Sequence, residues 1–233
     1  RAKQYRAASD GVIERLNALS WNGNFFTHFV PLEPFDVPGV DESRQLSLSN
    51  AYALNRMVLK RQQNRAIIEE YYRRGQERGD TFAEWYSIDP PFPAGSYGMA
   101  GRLGENPGEY VNGGIMPLVG GELARGAFRY GTERYAFETL ARYAELLSLT
   151  GESYLWYYPA GNPGKSSDDT LPTDGWGSSA MLGALIEGAA GIVDQASRYR
   201  AISLSPRWSA TDDVNEARVV ARYAASDGYV AYR

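Results

Sequence analysis

Apolar residues recur at helical spacing in pairs of stretches along this chain, and the connections between pairs are long. Residues 2–19 set Tyr5, Ala8, Val12, Ile13, Leu16 and Leu19 on one helical face. Ser49 and Asn50 are placed to cap a helix through Ala51, Leu54, Met57, Val58 and Leu59. A second helix follows, with Ile67, Ile68 and Tyr71 apolar and Arg73, Arg74, Glu77 and Arg78 solvated. Residues 115–130 and 132–148 form the next pair, broken at Tyr130-Gly131. Residues 178–192 carry Met181, Leu182, Leu185 and Ile186 with glycine and alanine behind them, a surface suited to close packing. About six helices in roughly three hairpins predict a mainly α fold. Near the end, the alternating runs 217–223 and 229–233 flank Asp227-Gly228, a hairpin signal. A lone hairpin is marginal in water, so residues 209–233 are expected to begin a β-domain. The chain opens on Arg1 with no Met and no signal-peptide pattern, and reads as a processed or excised segment.

The connections at 20–45, 86–113 and 150–177 are too long to be simple turns, and such loops are usually functional. They also hold much of an aromatic excess of 13% of the chain. Aromatic faces with polar edges suit sugar rings and bases alike. A formal net charge of −4 disfavours nucleic acid, since no basic surplus exists to neutralise phosphates. Cysteine is absent and His28 is the only histidine, so no metal site and no cofactor is expected. No apolar run approaches the roughly 18–20 residues that span a bilayer, so no membrane partner is expected either. A phosphate-loop look-alike, Pro159 to Ser166, fails because Pro replaces the first Gly and Ser-Asp-Asp-Thr follows instead of an amphipathic helix.

Each long loop carries a constellation beside a helix start. The first combines Trp21, His28, Asp41, Glu42, Arg44 and Gln45, a stacking face with bidentate polar groups of the kind hydroxyl-rich ligands need. An Asp41–Arg44 pair that merely pins the loop is the alternative. The second, Gly104 to Pro117, offers Glu109, Tyr110 and Asn112 beside a glycine pair that lets backbone approach a ligand. Here the alternative is a turn in which Asn112 caps the next helix. The third places Trp156 and Tyr157 among four aromatics in five residues, then Asp174 and Trp176 ahead of a helix. Asp174 reads either as a ligand-gripping or catalytic carboxylate or as an ordinary cap.

Three segments in this order, Trp21-Asn-Gly-Asn-Phe-Phe with the Gln45 helix start, Gly108-Glu-Tyr-Val-Asn-Gly-Gly114 and Asp174-Gly-Trp-Gly-Ser-Ser-Ala180, resemble the six-hairpin glycosidases. Those are (α/α)6 toroids such as trehalase, processing α-glucosidase, α-rhamnosidase and cellobiose phosphorylase. Leu204-Ser-Pro-Arg-Trp208 is similar to the family's exit into a C-terminal β-domain. The resemblance implies that residues 1–208 are the C-terminal part of a toroid, completed by the rest of the same polypeptide or by a partner chain. It implies a glycoside hydrolase acting on an oligosaccharide or glycoside, inverting, with the general acid in an earlier loop. The family's base precedes an aromatic-Pro segment, and Leu155 to Pro159 has no carboxylate there. Glu109, Asp174 and Glu42, in that order, are the catalytic candidates. Trp21, Trp156, Tyr157 and Trp176 would stack on sugar rings, and His28, Asp41, Arg44, Gln45, Tyr110 and Asn112 would bind the substrate. A glycoside phosphorylase and a non-catalytic carbohydrate-binding piece are the alternatives.

Overall fold

The computed structural model describes residues 1–33, 36–97, 102–165, 174–224 and 226–233. Helices take up 44% of the described residues, and the strands pair only in short antiparallel hairpins and bridges. The central element is α4 (Pro117–Tyr130), started by a proline whose missing N–H costs nothing at the first turn. Gly131 ends it in the left-handed conformation, at φ 94°. The chain then turns directly into α5 (Glu133–Thr150), antiparallel to α4.

Helix directions follow from which ends meet. Pro117 at the start of α4 lies against Gly177 at the start of α6 (Gly175–Gly183), and Phe128 lies against Gly188 further along. The two helices therefore run parallel. Their backbones touch at Gly121, where an added Cβ would collide with the Ala180 backbone. On the other side α3 (Arg61–Glu77) runs opposite to α4. Its Arg65 donates to the carbonyl of Tyr130, while Tyr71 and Arg74 reach Ser47 and Asp89 at the other end. The short α2 (Ser49–Ala53) starts at that same end and points toward Tyr130, whose hydroxyl donates to the Leu54 carbonyl. Directions thus alternate from α2 to α6, and α2, α4 and α6 all begin at one end.

Three sequence expectations are corrected here. The helix starting near Ser49 stops at Ala53 instead of continuing to Leu59. Asn55 turns inward to Glu122, donating to its carboxylate at 2.6 Å, and Met57 adopts a positive φ of 59°. Asn50 is no cap, because its side chain bonds the backbone N–H and carbonyl of Phe26. The last helix begins earlier, at Gly175, continues as a π turn over Ala184–Ala189, and releases Ile192 into a strand.

That strand, β5 (Ile192–Ala196), pairs with β6 (Ala201–Leu204). The terminal hairpin joins β7 (Val219–Arg222) to β8 (Tyr229–Tyr232), with Arg222 opposite Tyr229. The two strands are therefore not joined by a two-residue Asp-Gly turn. The C-terminal pair of hairpins begins at Ile192, ahead of residue 209. A small second core unites the two hairpins, with Ile192 and Val230 buried beside Ala190. Trp208 ties them together, donating through its indole to the Tyr232 hydroxyl at 2.8 Å. The main core lies around α4 and holds Tyr71, Trp85, Tyr86, Phe128, Trp156 and Tyr157 fully buried. α1 (Ala2–Leu19) buries no residue, and its apolar face with Tyr5 and Leu19 is exposed.

Candidate functional site

The three long loops meet over the starts of α2, α4 and α6, held by an irregular antiparallel ladder. Thr27 bridges Leu46, and β1 (Leu46–Ser47) pairs with β2 (Ile88–Asp89). Tyr86 bridges Ile115, Ile115 bridges Tyr157, and β3 (Trp156–Tyr157) pairs with β4 (Pro163–Gly164). Every loop thus contributes backbone hydrogen bonds to one layer, which satisfies polar groups that buried loops would otherwise leave orphaned.

A cleft of about 460 Å3 opens on this layer, lined by His28, Ser47, Leu48, Ser49, Ser87, Ile88, Tyr97 and Val111. Ser47 and Ser49, both lining it, share a hydroxyl–hydroxyl bond of 2.7 Å. His28 stands at the rim with its ring edge-on to Phe92, and desolvation pulls its pKa below the usual histidine value. Burial raises the pKa of Tyr97, with Glu105 adding to it.

One turn along α2 from Ser49 stands Tyr52, on the same face by helical spacing. Its pKa is raised by burial first and then by Glu122 of α4 and Asp174 of α6, with Arg56 opposing. Tyr52 therefore sits within the electrostatic reach of one carboxylate from each neighbouring helix. Glu122 is held by Asn55 at 2.6 Å and Arg56 at 3.1 Å. Asp174 caps α6, accepting from the N–H of Trp176 at 3.2 Å and of Gly177 at 2.7 Å. Beside it the indole of Trp176 is 70% exposed, a large apolar face turned to solvent.

The structure sorts the sequence candidates unevenly. His28 lines the cleft, and Asp174 at the start of α6 lies within electrostatic reach of Tyr52, with Trp176 two residues further on. Asp174 also fills the capping role that the sequence offered as its alternative. Glu109 binds its own loop, accepting from the backbone N–H groups of Gly104 and Asn106 and from the Asn106 amide. Tyr110, at a positive φ of 40°, leans on Trp156 with ring centres 6.4 Å apart. Trp21 packs edge-on against Phe26.

Four expectations are corrected by burial. Asn112 has no exposed surface and spends its amide on Phe92, accepting from its N–H at 2.7 Å and donating to its carbonyl at 3.1 Å. It does not cap α4 either, because Met116 holds that position. Gln45 is equally buried and donates to the Pro90 carbonyl. Trp156 and Tyr157 are core residues, with Trp156 packed flat against Gly164, so neither presents a ring to a ligand. Asp41 bonds Ser43 rather than Arg44, and Arg44 lines a different cavity. Glu42, in the short 3-10 turn after Asp41, does not line the cleft; desolvation and then Asp36 raise its pKa. Residues 166–173 of the third loop lie outside the described residues.

Tyr52 and Glu122 escaped sequence reasoning although both left a trace. Glu122 is the one acid in the apolar run Leu118 to Phe128, and Tyr52 follows Ser49 by one turn. No protein-family model matches this sequence, and no curated protein matches it. Among the described residues no helix is long and apolar enough to cross a membrane.

Proposed function

We propose that the chain forms part of a carbohydrate-active (α/α)-hairpin toroid and that a glycoside binds over the starts of α2, α4 and α6. One observation carries this reading: α2, α4 and α6 all begin at the end where three aromatic loops are stitched into one layer. Helices that alternate in direction, with every second one opening on the same face, are what successive hairpins of a toroid require. Trp176 then offers a stacking face, and Tyr52, Ser49 and Asp174 offer hydroxyl and carboxylate partners to sugar hydroxyls.

Hydrolysis with inversion needs an acid on the leaving oxygen and a base that deprotonates the attacking water. Asp174 is the best-placed base candidate, because its cap bonds leave lone pairs on both oxygens and it stands beside the exposed indole. Glu109 ranks below it, since it accepts three hydrogen bonds from its own loop. The same engagement of both carboxylates favours a second reading, a binding surface without turnover. Measuring glycoside hydrolysis by the full-length protein and by its Asp174→Asn and Glu109→Gln variants separates the two. Loss in Asp174→Asn alone supports the base assignment, and unchanged turnover in both variants refutes it. Sugar binding without hydrolysis by the unaltered protein supports the second reading.

A further inference from the structure

A second cavity, of about 630 Å3, lies across the β1–β2 pair from the cleft. Ile88 lines the cleft and Asp89 lines this cavity, as adjacent strand residues pointing to opposite faces. Four guanidinium groups face it, from Arg44, Arg73, Arg74 and Arg78, against the carboxylates of Glu70, Glu77 and Asp89. Those carboxylates are already engaged. Glu70 accepts from Arg73 and Arg74, Glu77 from Arg73, and Asp89 from Arg74, while Asp89 also forms an ion pair with Arg78. Arg74 in turn uses Nε, Nη1 and Nη2, the last on the Arg44 carbonyl.

Two guanidiniums keep donors to offer. Among the described residues Arg44 makes no ion pair, and Arg78, whose guanidinium lies over the Tyr86 ring, ion-pairs with Asp89 through Nη2. They reach the cavity from different elements, a loop and the end of α3. A guanidinium fork matches two oxygens of a carboxylate or a phosphate. A planar carboxylate presents one such edge, whereas a tetrahedral phosphate presents an edge to each of two forks.

We propose that this cavity binds a phosphate group, either free inorganic phosphate or the phosphoryl of a sugar. Arg44 is its principal ligand, and Arg78 the second. The site is separate from the proposed glycoside cleft, so a phosphate held here is not an attacking group in that cleft. It stands or falls independently of the carbohydrate reading.

Calorimetric titration of the whole protein with inorganic phosphate and with a hexose phosphate, at low ionic strength where exposed charges are least screened, tests it. Saturable binding is expected in the unaltered protein, weakened at least about tenfold in Arg44→Gln and less in Arg44→Lys, which keeps the charge but loses the fork. Arg44 is exposed and makes no described side-chain bond, so Arg44→Gln is expected to fold normally. A Ser49→Ala variant of the cleft should bind phosphate as the unaltered protein does. A hexose phosphate that binds more tightly than inorganic phosphate, with both lost in Arg44→Gln, assigns the phosphoryl source; equal or weaker binding assigns free phosphate. Absence of saturable binding by either probe, binding indifferent to Arg44→Gln, or binding abolished by Ser49→Ala overturns the proposal.

Discussion

Asn112 holds Phe92 by both ends of its side-chain amide, one bond of 2.7 Å accepted from the backbone N–H and one of 3.1 Å donated to the carbonyl. The residues are twenty apart in sequence, and the pair locks the second loop onto the segment that follows β2. Asn112→Ala removes both partners of buried backbone groups, so a loss of about 2–3 kcal/mol is expected in denaturant unfolding. A loss below about 0.5 kcal/mol, the range of ordinary surface substitutions, would show that the pair does not hold the loop.

The parallel seam of α4 and α6 depends on the absence of a side chain at Gly121. Gly121→Val is expected to destabilise the fold by about 1–3 kcal/mol, because overpacking against the Ala180 backbone can be relieved only by moving a helix. Gly183, with open space around its Cβ position, is the control. A Gly183→Ala substitution at the end of α6 should be neutral or mildly stabilising in thermal melts.

Asp174 joins a structural and a chemical role, and two substitutions pull them apart. Asp174→Ala should cost about 1 kcal/mol through loss of the α6 cap, whereas Asp174→Asn keeps an amide oxygen that caps well. Asp174→Asn should therefore melt close to the unaltered protein, yet lose glycoside turnover by about 100-fold or more if it supplies the base. Equal melting of Asp174→Ala and the unaltered protein would contradict the capping geometry.

His28 has its pKa lowered by desolvation, so the folded state favours the neutral ring. Below the ordinary value of 6.5 the unfolded chain binds a proton that the folded chain does not. Stability should therefore fall as pH drops from about 6.5 toward the folded pKa, and level off beneath it. His28→Gln should flatten that part of the profile, as read from unfolding midpoints across pH. An identical slope in the variant would mean that other groups produce it.

How much could be read in advance depended on whether a signal was local. The α4–α5 hairpin was legible because Pro117 and Gly131 carry start and stop chemistry in their own backbones. The early stop of α2 was not, because it is set by Asn55 bonding Glu122, far along the chain. Clustered aromatics did not reveal which rings are core and which are exposed. Trp156 and Tyr157 look like ring-stacking platforms, and only the bridge to Ile115 and the bare face of Gly164 show that they are core. Trp176, from the same kind of sequence, stays outside because Asp174 starts a helix beneath it. The carboxylates divide in the same way: Glu109 is absorbed by backbone N–H groups of its own loop, a fact no spacing could show.

Exposed Trp176 gives the sharpest test of whether sugars bind over the starts of α2, α4 and α6. Affinity for a series of oligosaccharides should be measured for the unaltered protein and for Trp176→Ala, with melting recorded for both. Binding should weaken roughly two- to tenfold, the worth of one aromatic contact, while stability stays within about 0.5 kcal/mol. No binding of any oligosaccharide by the unaltered protein, or equal binding by Trp176→Ala, would contradict the proposed site.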